Sequence, residues 1–255
     1  MNILNKFKTE LGYVNATNQY TELAARIYNI DHERDELSEL AHKVGLSVNA
    51  LPENIRIRIA KGYIVSIQSI IEKFLYTFIR LDGLQINATN PYNPENDKSR
   101  LKWTIKVCGY DNIPSDILCC IDICEYYRLV RNEIVHMGEK GVDYRSARNR
   151  VLEINEELRL SKLSVRLNAP NEINCINFDD QVLFSRCAKL LCSFIYNNSR
   201  YDWNNIVEKD KYIKEVLRSM PNTDKRNIKI KRYLMQNYPI NNSEEQIDLI
   251  LSTYC

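Results

Sequence analysis

Apolar residues recur at three- and four-residue steps along most of this chain, which predicts a protein built from helices. The clearest run is Ile55, Ile59, Tyr63, Ile67, Ile70, Ile71, Phe74, Leu75 and Phe78. It predicts a long helix over 52–81, stopped by Asp82-Gly83. A second apolar run through Ile117, Leu118, Ile121, Ile123, Cys124, Tyr127, Leu129 and Val130 starts at Pro114-Ser115-Asp116 and ends near His136. Asp31 is a suitable N-cap for a helix over 32–44, with Gly45 just past its end. Further helices are expected over 17–28, 102–107, 144–159, 179–198, 203–219, 224–237 and 243–253, with a break at Asn29-Ile30-Asp31.

Two stretches depart from this period. Residues 87–100 are polar and carry two prolines, so a loop is expected there. In 162–178 the apolar residues alternate with polar ones, at Leu163, Val165 and Leu167 and again from Ile173 to Phe178, around the turn chemistry of 168–172. That pattern predicts a short β-hairpin. The expected fold is all-α, a helical bundle with one small β-hairpin insertion and a helical tail. It divides into an N-terminal helical extension (1–50), a helical core (51–200) and a C-terminal helical tail (201–255).

Composition changes this picture little. The chain has 255 residues, 44% of them apolar, enough for one large domain or a core with an appendage. Charged residues make up 27% and the net charge is only +2, so bulk charge does not announce a nucleic-acid binder. The segment Met1 to Lys8 lacks the apolar region of a signal peptide, and the apolar run over 64–79 is interrupted by Gln68, Glu72 and Lys73. No membrane association is expected, and the cytoplasm is the expected compartment. The eight cysteines include no C-x-x-C pair, which predicts buried, reduced thiols rather than a metal site. With three histidines and no glycine-rich phosphate loop, metal triads, nucleotide-driven chemistry and dinucleotide chemistry have no support, and no cofactor is expected.

One motif carries chemistry: Arg131-Asn132-Glu133-Ile134-Val135-His136, at the end of an apolar helix and just before a glycine-containing break. Arg26 and His32 form a looser decoy, placed at the expected 29–31 break. The segment from Cys124 to His136 resembles the R-N-x-x-x-H helix of HEPN domains, and residues 53–160, extending to about 200, resemble their helical core. The resemblance implies a metal-independent endoribonuclease, acting as a toxin or phage-defence effector on RNA. It also implies a homodimer that brings two motifs to one cleft, through 53–81 and 114–137, and an inhibitor or antitoxin protein as partner.

The residue types suit that chemistry. An RNA 2′-OH can attack its adjacent phosphate without metal if a group titrating near neutral pH moves the proton, the role expected of His136. The charge that builds on phosphorus needs a fixed cation, the role expected of Arg131, with Asn132 orienting. Glu72 and Tyr127 are candidate orienters of a second rank. The resemblance is incomplete: toxins paired with a nucleotidyltransferase carry a Tyr two residues beyond the His, where this chain has Gly138. Regulation through such a tyrosine is therefore not expected. Two alternatives remain at this stage: a non-catalytic HEPN-like module binding RNA or protein, and a helical adaptor whose His136 is a C-terminal cap and whose Arg131 is a surface ion-pair partner of Glu125 or Glu133. In the tail, Lys225, Arg226, Lys229, Lys231 and Arg232 form the densest basic run, either a solvated helix face or a contact surface for nucleic-acid phosphates.

Overall fold

The computed structural model describes residues 2–31, 39, 41–45, 55–87, 90–136, 143–158, 167–220, 223–239 and 244–253. They form ten named helices: α1 (Ile3–Asp31), α2 (Ile55–Phe78), α3 (Arg100–Cys108), α4 (Ser115–His136), α5 (Tyr144–Leu158), α6 (Phe178–Asn197), α7 (Trp203–Lys209), α8 (Lys211–Ser219), α9 (Thr223–Asn237) and α10 (Glu244–Ser252). No strand occurs among the described residues. Among the same residues the one pairing of that kind is an isolated bridge between Leu84 and Tyr201. The fold is all-α, and no helix among the described residues is long and apolar enough to cross a membrane.

Contacts divide the chain into two compact units. One comprises Met1–Thr9, Ile70–Ile121 and Lys189–Cys255, the other Glu10–Ser69 and Asp122–Ala188. The first buries Leu4, Phe7, Phe74, Leu75, Phe78, Leu191 and Ile195. It includes a cluster of tail side chains, among them Trp203, Ile206, Ile213, Val216, Ile230, Leu234 and Ile247, with Leu81 and Leu84 packed on it. The second buries Ile64, Ile67, Ile123, Tyr126, Tyr127, Val130, Val151, Leu183 and Phe184. Removing this much apolar surface from water is the main stabilising term in both.

Three expectations are corrected. α1 is one helix from Ile3 to Asp31, with no break at 29–31, so it starts well before residue 17; the expected helix over 32–44 lies mostly outside the described residues. The single helix expected over 203–219 is two, because Asp210 ends α7 and its side chain accepts the Ile213 N–H at 3.0 Å to cap α8. The described part of the expected hairpin, 167–178, holds no strand, while its first arm lies largely outside the described residues. The reason is where its backbone donors go. The N–H groups of Asn171 and Asn177 reach the Asp180 carboxylate at 2.8 and 2.9 Å, and the Asn168 N–H reaches Asp179 at 3.0 Å. Within the described second arm the Cys175 N–H donates to the Glu172 carbonyl at 2.8 Å, so 172–175 closes as a turn, and the Asn177 N–H goes to a side chain rather than to a strand partner.

Gly83 holds the tail cluster to the end of α2. It adopts φ +70, and a Cβ there would lie 2.7 Å from the Asp202 carbonyl oxygen and clash with the Ile206 side chain. Its own carbonyl accepts the Asp202 N–H at 2.7 Å, so the backbone has no room to retreat. Gly83→Ala therefore combines a left-handed φ with overpacking and is expected to cost about 3 kcal/mol, a fall of roughly 6–12 °C in Tm by calorimetry. An unchanged Tm would show that the contact relaxes freely.

Buried tyrosines give the fold a pH limit. Burial pushes the hydroxyls of Tyr63 and Tyr238 up to about 12, and also raises those of Tyr110, Tyr126, Tyr127, Tyr196, Tyr201 and Tyr233. A phenol held neutral in the folded state but free to ionise near pH 10 when unfolded contributes its full stability below pH 10. That contribution is lost as pH climbs toward the folded value. Melting temperature should fall steeply from pH 10 to 12, with these tyrosinates appearing at 295 nm only as helix signal is lost. Titration of every tyrosine near pH 10 with helicity intact would refute this.

Candidate functional site

The motif lies on the last turns of α4. Upstream, the helix is fixed by its inner face, where Ile123, Cys124, Tyr126, Tyr127 and Val130 are all buried. That face ends at Val130. Arg131, Asn132, Glu133 and Ile134 are half-buried, and Val135 and His136 are exposed. The packed part of the helix thus gives way to a surface end at the R-N-x-x-x-H residues.

Arg131 donates from Nη1 to Asn132 Oδ1 at 3.2 Å. This bond holds the guanidinium beside the amide and leaves the remaining donors of the fork oriented by it. Positions 131 and 136 lie about 140° apart around a regular helix, so the two side chains leave α4 in different directions. His136 is the last described residue of α4, where an imidazolium is also favoured by the helix dipole. Glu125, a weighed partner for Arg131, is buried and pairs with Arg128 at 3.0 Å. Among the residues weighed as orienters, Glu72 pairs with Arg100 at 3.6 Å and Tyr127 donates to Asp180 at 2.8 Å.

Asp180 is the strongest polar feature near α4 that the sequence reading missed. It is fully buried and accepts four hydrogen bonds: from Tyr127 Oη, the Asn171 N–H, Asn171 Nδ2 and the Asn177 N–H, at 2.8, 2.8, 2.9 and 2.9 Å. Burial pushes its carboxyl above the usual range, while the Asn171, Asn177 and Tyr127 donors pull the other way. Asn177 in turn accepts the Asp179 N–H at 2.8 Å, which completes a capping box at the start of α6. The legible signal was Asn177-Phe178-Asp179-Asp180 ahead of an apolar run. This cluster ties the approach to α6 onto α4 four residues before Arg131, and its enclosed carboxylate positions rather than reacts.

The described cysteines match the thiol reading: all seven are free and only Cys175 is exposed. Among the described residues no group of three or more His, Cys, Asp or Glu could hold a metal ion.

The five cations of the tail run do not stay together. Lys225, Lys229 and Arg232 line one cleft of about 520 Å³ with Tyr212, Ile228, Tyr233 and Gln236. Arg226 is buried on the inner side of α9, and Lys231 pairs with Asp248 of α10 at 3.0 Å. Tyr212 and Tyr233, which no sequence pattern singled out, are brought into this cleft by the packing of α8 on α9. No family model matches the chain, and no curated protein or solved structure is similar to it.

Proposed function

We propose that this chain is a metal-independent endoribonuclease of the HEPN type, working in the cytoplasm as a toxin or phage-defence effector. The observation that carries the reading is the end of α4. A guanidinium steered by the adjacent amide and an exposed imidazole stand where a buried helix emerges to solvent. In this reading His136 moves the proton of the attacking 2′-OH, Arg131 stabilises the charge on phosphorus and Asn132 aims the guanidinium. The products are a 2′,3′-cyclic phosphate and a 5′-OH. The divergence of Arg131 and His136 around one helix favours a site completed by a second copy, a homodimer through 53–81 and 114–137. An inhibitor or antitoxin protein would restrain it.

A second reading has its own observation. Arg131 bonded to its neighbour and His136 at a helix C-terminus also satisfy a non-catalytic HEPN-like module that binds RNA or protein. The deciding experiment incubates purified protein with total RNA and tRNA in EDTA and maps the ends, alongside growth of cells expressing the chain. Cleavage leaving cyclic-phosphate ends is expected. Intact RNA together with unimpaired growth would overturn the enzyme and leave the module.

A further inference from the structure

The charge of this chain is unevenly spread. Residues 209–233 hold nine Lys and Arg against three Asp and Glu, in a chain whose whole net charge is +2. Lys225, Lys229 and Arg232, at steps of four and three, form a row about 10 Å long on α9. On α8, Lys211, Lys214 and Arg218 repeat the spacing around a further hollow. Between the two helices the rings of Tyr212 and Tyr233 stack, with centroids 4.4 Å apart and planes at 28°. The pair is braced. Tyr233 Oη donates to Asp210 at 2.8 Å, the same carboxylate that caps α8, and Lys229 Nζ lies 5.8 Å from the Tyr212 ring centroid. Tyr212 is 36% exposed, so part of the pair remains reachable from solvent.

We propose that the α8–α9 cleft docks a single-stranded nucleic acid, with phosphates on Lys225, Lys229 and Arg232 and a base stacked at the Tyr212–Tyr233 pair. A cation row alone would suit any polyanion. The braced aromatic pair adds affinity only for a partner with free planar faces, which a single strand offers and a duplex hides within its stack. The choice of RNA as that strand rests on the ribonuclease reading above, whereas the cleft itself rests on charge and ring geometry.

The test is fluorescence anisotropy of the full chain with a labelled twelve-nucleotide oligo(dT), which lacks the 2′-OH and cannot be cut. Joint reversal of Lys225, Lys229 and Arg232 to Glu should weaken binding at least about 30-fold and flatten a salt slope by about 2. Tyr212→Ala should lose about 10-fold while Tyr212→Phe binds like wild type. Reversal of exposed Lys6, Lys43 and Lys102 is the charge-matched control, and circular dichroism checks that each variant folds. Equal loss in that control, equal affinity for a twelve-base-pair duplex, or equal competition by poly-glutamate would overturn the proposal. Wild type that cleaves RNA but does not bind the oligonucleotide, or a reversal variant that binds like wild type, sinks the cleft alone. Wild type that binds the oligonucleotide but neither cleaves RNA nor impairs growth sinks the ribonuclease reading alone.

Discussion

If the proposed ribonuclease activity holds, His136→Ala and Arg131→Ala are each expected to lower RNA cleavage by at least about 100-fold while the protein stays folded, the range that positioned proton transfer and a charge-stabilising donor supply. Both side chains sit at the surface end of α4, beyond the last buried residue, Val130, so neither substitution opens a cavity. The place of His136 at the helix C-terminus accounts for about 0.3–1 kcal/mol of stability. That small figure makes the experiment discriminating. A His136 that is only a cap loses that stability and no activity, whereas a catalytic one loses activity out of proportion to stability. Arg131→Lys separates charge from geometry, since a lysine keeps the cation but loses the planar fork that Asn132 holds at 3.2 Å. Asn132→Ala should then give a smaller loss than Arg131→Ala, because it frees the guanidinium without removing it. Single-turnover cleavage of a defined tRNA, with Tm measured on the same samples, reads all four. Activity retained in His136→Ala would end the catalytic assignment.

Long helices with one buried face were legible in the sequence. α2, α4, α6 and α9 start and stop within a few residues of their expected bounds because their apolar stripes are continuous. α1 was legible only in part, and its two faces explain why. Leu4, Phe7, Leu11, Asn18 and Glu22 are buried, yet Tyr13, Tyr20, Leu23 and Ile27 are exposed on other faces. Apolar residues all round a helix blur the period that pattern reading depends on. The hairpin failed for a different reason. Ile173 and Ile176 are both buried, but three residues apart in a turn, and alternation over six residues cannot distinguish that from a strand. The R-N-x-x-x-H residues were readable as a pattern because they are contiguous. The stacked Tyr212 and Tyr233 were not, because twenty-one positions separate residues that only the packing of α8 on α9 brings together.

Asp180 ties that motif-bearing helix to the start of α6, and Asp180→Ala is expected to cost about 3–5 kcal/mol, the sum of several enclosed donors losing their acceptor. The carboxylate joins three pieces of chain: Tyr127 on α4, Asn171 in the irregular approach, and Asn177 at the start of α6. Its loss leaves the Tyr127 hydroxyl enclosed without its acceptor and strips two backbone N–H groups of their partners, and each stranded donor carries a desolvation penalty of about 1–3 kcal/mol. Asp180→Asn isolates the charge. It keeps the volume and one acceptor oxygen but presents an amide to donors that all point inward, so it should recover only part of the loss. A fall in Tm of roughly 10 °C or more for Asp180→Ala, with Asp180→Asn between it and wild type, is the expected order. Tyr127→Phe removes one donor while leaving three, and should cost about 1 kcal/mol. If Asp180→Ala melts like wild type, the approach to α6 is held by its apolar contacts at Ile173 and Ile176 instead, and the end of α4 is positioned without this carboxylate.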